Sequence, residues 1–171
     1  MFPRLQATLI AAILLFSFAI PAHAADRGPS TPEERKQALD YVQDFLSNPL
    51  GPDSAKEREW VIKWAILVPD VHVSVCLLLE KQPKGDKQDA NLIFAGMVLA
   101  QTAFAIQNPE AKGDSQEAFL AGVNGSLHVY ELLLKDRPKD RQPYLDDLLK
   151  KRDAGTLPAW IQERKDKSCH K

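Results

Sequence analysis

Cysteine is scarce in this chain, and neither sign of charge is in clear excess. Only 2 of the 171 residues are cysteines, so the chain is not a disulfide-dense miniprotein. The formal net charge is -1, which gives no whole-molecule field to attract nucleic acid or an anionic membrane. With 44% hydrophobic and 26% charged residues, the composition is that of an ordinary folded protein.

The motifs of the common enzyme classes are also missing. The sequence has no G-x-x-x-x-G-K-[ST] loop to cradle phosphates, no G-x-G-x-x-G turn for a dinucleotide and no G-x-S-x-G nucleophile elbow. It has no H-E-x-x-H zinc helix and no E-x-x-H pair of the kind that builds a di-iron bundle site. The sequence thus singles out no catalytic residue and no cofactor, and it favours a non-enzymatic protein.

The first 24 residues predict a cleaved secretory signal peptide. Arg4 supplies a positive charge, residues 9–20 form an apolar run, and Ala22 and Ala24 place small residues at a cleavage site. The apolar run is shorter than the roughly 20 residues that a membrane-spanning helix needs. We therefore predict cleavage after Ala24 and a mature protein that is secreted or periplasmic.

Helix signals recur along the rest of the chain, whereas alternating strand patterns are almost absent. Thr31 precedes a proline and two glutamates in a helix-capping pattern, and residues 60–68 form a broad apolar helix face that ends before a proline. The sequence predicts an all-α bundle or irregular array of about six or seven helices. Residues 25–30 are predicted as a short flexible N-terminus, 31–167 as a single helical domain and 168–171 as a C-terminal tail.

A long apolar run predicts the central element of this array. Residues 92–106 are apolar or small, apart from Gln101 and Thr102. As a helix these 15 residues span only about 22 Å, against a hydrocarbon thickness of about 30 Å. We therefore predict a central helix buried on all sides, and no transmembrane span in the mature chain.

The following helix carries the most regular amphipathic pattern. Its apolar residues are spaced by 3, 4, 3 and 4 positions, which predicts one narrow seam against a partner helix. The residues of this seam are Leu120, Val123, Leu127, Tyr130 and Leu134.

The stretch 70–81 is ambiguous. Val71, Val73 and Val75 alternate with polar residues as in a half-buried strand. A strand without a partner strand leaves its backbone N–H and C=O groups without ladder hydrogen bonds. No second stretch of the sequence alternates in this way. The same residues also fit a helical stripe, so the sequence favours a helix.

The two cysteines, Cys76 and Cys169, both remain after removal of the leader and would enter an oxidising compartment. An intramolecular disulfide would fasten the lysine-rich C-terminal tail to the core. The alternatives are two unpaired thiols, or a disulfide between two molecules through Cys169.

His72 and His128 are the candidate ligand-site residues. Four nitrogen and sulfur donors could hold tetrahedral zinc, namely His72, Cys76, Cys169 and His170. Adjacent Cys and His seldom ligate together and the tail is charged, so we predict no metal site. The alternative for both histidines is a partly buried ring that hydrogen-bonds to the backbone.

Charge is unevenly distributed along the chain. Residues 25–134 hold 10 basic and 16 acidic side chains, whereas residues 135–171 hold 11 basic and 7 acidic ones. This asymmetry predicts a basic patch that meets an anionic partner. Its residues are Lys150, Lys151, Arg152, Arg164, Lys165 and Lys167. The aromatic residues that interleave with basic ones in nucleic-acid readers are absent, so no nucleic-acid partner is predicted.

Two functions remain compatible with the sequence. The first is an exported, non-catalytic helical domain that binds an unknown protein or an anionic component of the cell envelope. The second is a small-ligand carrier or an enzyme whose site is assembled from residues distant in sequence. A pocket that gathers His72, His128 or carboxylates would favour the second.

Overall fold

The structure is a computed structural model that describes residues 27–76 and 87–169. The predicted signal peptide lies outside these residues. Within them the regular structure is entirely α-helical, with six helices and no strand. The helices are α1 (Pro32–Ser47), α2 (Ser54–Leu67), α3 (Lys87–Gln107), α4 (Gln116–Asp136), α5 (Pro143–Asp153) and α6 (Leu157–Ser168). The all-α prediction is confirmed for this part of the chain.

Local sequence signals fix several helix ends. The Thr31 hydroxyl accepts a hydrogen bond from the Glu34 N–H, and the Glu34 carboxylate accepts one from the Thr31 N–H, so α1 begins with a complete capping box. At α4 the Ser115 hydroxyl accepts from the Ala118 N–H. Each cap satisfies a backbone donor that the first helical turn leaves unpaired.

The helices are organised around α3 and α4, which pack directly against each other. Gly96 and Gly125 face each other across this contact, because a Cβ atom built on Gly125 would lie 2.3 Å from the Gly96 carbonyl oxygen. The buried Ser126 hydroxyl donates a 2.9 Å hydrogen bond to the Ile93 carbonyl oxygen. The two backbones therefore approach more closely than larger side chains would allow.

The predicted seam on α4 is too narrow. Val123, Leu127 and Tyr130 are buried as expected, but Leu120 and Leu134 are only partly buried. Further buried positions on the same helix are Phe119, Gly122, Gly125, Ser126, Val129 and Leu133. The face is wider because α4 contacts α1, α3, α5 and α6 rather than one partner helix.

The prediction that the apolar helix is buried on all sides is wrong. The stretch 92–106 lies in α3, which packs against α1, α2 and α4. Its Phe94 side chain is nevertheless 43% exposed, and Val98 is half-buried. Gln88–Gln107 is long and apolar enough to cross a membrane by length and composition, a test that the core helix of a soluble protein also passes, and 56% of its apolar window is buried within the protein. Phe94 is exposed because no described helix packs over this face of α3.

The predicted helix over 70–81 is wrong for residues 71–76, and residues 77–81 lie outside the described residues. Segment 71–76 has no helix, turn or bend. Val71 is buried beside Ala38, Trp64 and Val68, whereas Cys76 is bonded to Cys169 beyond the end of α6. An extended chain advances about 3.3 Å per residue and a helix only 1.5 Å, so an extended segment can bridge anchors on different helices.

Asp70 ties the start of this segment to the N-terminal residues and to α1. Its carboxylate accepts hydrogen bonds from the Ser30 N–H and the Ser30 hydroxyl, both at 2.8 Å, and from Arg35 at 2.6 Å. Burial opposes ionisation, but these hydrogen bonds outweigh it and hold the pKa of the Asp70 carboxyl at about 2, below its usual 3.8.

Replacing Asp70 with asparagine should lower the free energy of unfolding by about 1–2 kcal/mol at pH 7, because charge-assisted hydrogen bonds are lost. The native pKa is below the unfolded one, so this stabilisation is complete above about pH 4 and is lost as the pH falls from 3.8 towards 2. Urea unfolding at pH 7 and near pH 3 measures this. The difference in unfolding free energy between parent and variant should be smaller near pH 3 than at pH 7. Asp136→Asn, at an exposed position on α4, is the control and should change little at either pH.

Candidate functional site

The two cysteines form an intramolecular disulfide. Cys76 and Cys169 are bonded with their Cα atoms 5.7 Å apart, across a sequence separation of 93 residues. The predicted pairing is confirmed in the structure. The bond fastens the end of segment 71–76 to the residue that follows α6, and it indicates an oxidising compartment.

An apolar groove of about 580 Å³ lies between α2, segment 71–76 and α3. The described residues that line it include no Lys, Arg, Asp or Glu, and His72 and Ser74 are its polar members apart from main-chain groups. The apolar side chains of its walls come from α2 (Ile62, Ala65, Ile66), from residues 68–75 (Val68, Pro69, Val71, Val73, Val75) and from α3 (Phe94, Val98).

Most of the exposed large apolar side chains among the described residues line the groove. Ile66 is 76% exposed, Val75 is 56% exposed, and Phe94 is 43% exposed. Leu67, the neighbour of Ile66, is also exposed, whereas Leu50 lies apart from the groove. A cluster of this kind on an otherwise polar surface is typical of an interaction site.

Helical spacing explains how the two long walls are built. Ile62 and Ile66 are four residues apart on α2, and Phe94 and Val98 are four apart on α3, so each pair lies on one helix face. Between the two helices, Val71 is buried while Val73 and Val75 become progressively more exposed. Segment 71–76 therefore forms the third wall of the groove, and this wall is buried at Val71 and exposed at Val75.

The structure does not bring His72 and His128 to a common site. His72 is exposed and lines the groove, whereas the His128 Nε2 atom lies 2.9 Å from the Leu46 carbonyl oxygen and links α4 to the end of α1. His128 thus has the backbone hydrogen bond expected of a structural histidine. The described lining of the groove places no carboxylate beside His72.

Metal ligands are not clustered in the described ranges. Among residues 27–76 and 87–169, no group of three His, Cys, Asp or Glu side chains is placed to hold a metal ion. Cys76 and Cys169 are engaged in the disulfide, and His170 lies outside the described residues.

The predicted basic patch lies on α5 and α6, and acidic neighbours neutralise much of it. Three of its cations form ion pairs: Arg152 with Glu131, Lys151 with Asp147, and Lys167 with Glu163. The Arg152 guanidinium binds both Glu131 oxygens, at 2.8 and 2.9 Å, and these hydrogen bonds lower the pKa of the Glu131 carboxyl. Lys150 and Lys165 have no acidic partner in the described part of the chain.

Binding to an anionic surface should therefore depend most on these two lysines. We expect the double variant Lys150→Ser, Lys165→Ser to bind vesicles containing anionic lipid roughly thirtyfold more weakly than the parent, because each lysine near such a surface contributes about 1 kcal/mol. Sedimentation with vesicles at low and high salt measures this, and the difference should shrink as salt rises. Lys63→Ser on α2 is the control, and equal binding by all three proteins would reject the anionic partner.

Comparisons with protein-family models, with curated proteins and with solved structures find no match for this chain.

Proposed function

We propose that this is an exported, non-catalytic helical protein that binds another protein or a component of the cell envelope through the apolar groove. The observation that carries the proposal is the exposure of Ile66, Val75 and Phe94 around one concavity. Burial of a large apolar side chain contributes about 1.5–3 kcal/mol, so covering these three would supply much of the free energy of a specific complex.

Export rests on the leader pattern and on the disulfide. Arg4, the apolar run 9–20 and the small residues before Ala25 are typical of a signal peptide, and the Cys76–Cys169 bond favours a compartment outside the reducing cytosol. N-terminal sequencing of the mature protein should begin at Ala25. Recovery of an intact Met1 species embedded in membrane would contradict this part of the proposal.

Photo-crosslinking from the groove tests the binding function. We expect a photoreactive residue at position 66 to capture one reproducible partner from envelope extract, and Phe94→Ser to reduce that capture at least tenfold, as at an interface hot spot. Leu50→Ser is a matched control, because Leu50 is 44% exposed and Phe94 43% exposed, but Leu50 lies outside the groove. Equal capture by both variants would contradict a role for the groove.

A small-ligand carrier is the second candidate. The groove volume of about 580 Å³ falls within the range of roughly 300–1,000 Å³ that is usual for small-molecule sites. A carrier purified from its natural source should release one organic compound on denaturation, detectable by mass spectrometry, and Phe94→Ser should reduce its amount. Capture of a protein without such a compound would favour the protein-binding function.

A further inference from the structure

We infer that the groove receives an extended peptide segment of the partner, which adds as a β-strand along segment 71–76. This inference rests on the proposed function and specifies the chemistry of the partner. It joins two observations, the apolar groove and the unpaired main chain that forms one of its walls.

The main chain of segment 71–76 has no hydrogen-bond partner in the described part of the chain. No hydrogen bond between described residues involves its N–H or C=O groups, whereas the carboxylate of the neighbouring Asp70 accepts hydrogen bonds from Ser30 and Arg35. Unpaired N–H and C=O groups along an extended segment are a template for a further strand. Recognition by strand addition draws its affinity from such main-chain hydrogen bonds.

The segment is held in place from several sides, so a bound peptide would not have to order it. Asp70 fixes its beginning through Ser30 and Arg35, Val71 is buried in the core, and the disulfide of Cys76 fixes its end. Between these points the His72 carbonyl packs against Gly113, where a built Cβ would lie only 2.4 Å from the oxygen. A wall ordered in advance loses less conformational entropy on binding.

The contact with Gly113 also indicates which edge of the segment is free. The N–H and C=O groups of successive residues point to opposite edges of an extended chain. The edge that carries the His72 carbonyl faces Gly113, so the opposite edge carries the groups of Val73 and Val75. The lining of the groove includes Val73 and Val75 along with Val71, His72 and Ser74, so the groups of the free edge lie at the groove wall.

The lining of the groove defines the side chains of the peptide. Alternate residues of a strand point to the same face about 7 Å apart, so every second side chain of the peptide would lie against Ile66 and Phe94. These side chains should be uncharged and β-branched or aromatic, since no described lining residue could pair with a charge except His72.

A hydrocarbon chain fits the walls less well than a peptide does. It could cover Ile66, Val75 and Phe94, but it would also remove the N–H and C=O groups of segment 71–76 from water without pairing them. Each buried polar group left unpaired costs about 1–3 kcal/mol. A peptide strand covers the same apolar atoms and pairs these groups.

The test uses the full mature, oxidised protein and a fluorescein-labelled peptide of sequence Lys-Val-Thr-Val-Thr-Val-Lys. Two further peptides carry N-methyl groups, one on its valines and the other on its threonines. In a bound strand the N–H groups of either the valines or the threonines face segment 71–76, but not both. We therefore expect one methylated peptide to bind at least tenfold more weakly than the unmethylated peptide, and the other to bind almost as well as it. Fluorescence polarisation measures the three affinities.

Two protein variants connect the peptide to the groove. Phe94→Ser should weaken binding of the unmethylated peptide at least tenfold, whereas Leu50→Ser should leave it unchanged. Amide hydrogen exchange should show new protection at Val73 and Val75 when the peptide is bound. Equal binding of both methylated peptides, or loss of both, would overturn strand addition.

The remaining outcomes separate this inference from the proposed function. If no peptide binds at 1 mM but a partner still crosslinks at position 66, strand addition is wrong and the binding function stands. If neither peptide nor partner is found, both are wrong. If the protein alone forms a concentration-dependent dimer that protects Val73 and Val75, the occupant is a second copy and the inference is overturned.

Discussion

Replacing Gly125 with alanine should lower the free energy of unfolding by about 1–3 kcal/mol, because α3 and α4 would have to move apart. The added Cβ would lie 2.3 Å from the Gly96 carbonyl oxygen and 2.5 Å from the Ala100 Cβ. Neither atom belongs to a flexible side-chain end. Alanine is intrinsically more favourable than glycine within a helix by about 1 kcal/mol, so a net loss would isolate the packing effect.

Two other glycines provide graded controls for this prediction. At Gly122 the added Cβ would meet mainly the side chain of Gln101, which can shift, so Gly122→Ala should cost less. At Gly28 a built Cβ has no contact within 4 Å, so Gly28→Ala should leave stability almost unchanged. Chemical unfolding of all three variants measures the series. Equal stability of Gly125→Ala and Gly28→Ala would show that the α3–α4 contact is less close than described.

Removing the disulfide is the second change with a large expected effect. The double variant Cys76→Ser, Cys169→Ser should lose about 2–5 kcal/mol of unfolding free energy, since the unfolded chain regains the freedom of a loop closed across 93 residues. For a protein of this size each kcal/mol corresponds to roughly 3 °C, so the midpoint of thermal unfolding should fall by about 10 °C. Calorimetry of the oxidised parent and the variant measures both quantities.

The reduced parent is the matched control for the serine variant. Both lack the cross-link, so their free energies of unfolding should agree to within about 1 kcal/mol. The oxidised parent should also bind the unmethylated valine–threonine peptide more tightly than the reduced parent or the serine variant does, because the bond fixes one end of segment 71–76. A variant as stable as the oxidised parent would show that the bond does not constrain the chain.

The helices that the sequence predicts best are those whose ends depend on neighbouring residues. Thr31 is a capping residue by its local pattern, and the structure places it as the cap of α1. The sequence left three states open for Cys76 and Cys169, namely an intramolecular disulfide, two unpaired thiols or a disulfide between molecules, and the structure shows the intramolecular bond.

Features that depend on contacts between distant residues were not predictable. Sequence periodicity includes Phe94 in a buried run and Leu67 in an apolar helix face, yet both are exposed, because no described helix covers these positions. Similarly, the alternation at 71–76 predicts secondary structure, but its anchors at Val71 and Cys76 belong to different parts of the fold. The sequence named His72 only as a candidate ligand residue, and no local pattern indicated that it would line a groove with Ile66 and Phe94.

The position of the disulfide has a consequence for the order in which the protein matures. If the protein is exported as we propose and crosses the membrane from its N-terminus, Cys76 crosses 93 residues ahead of Cys169. During that interval the Cys76 thiol is open to other oxidants and to neighbouring chains, and the groove lacks one fixed wall. Under the proposed function, the groove should therefore become able to bind only after Cys169 has also crossed and the bond to Cys76 has formed.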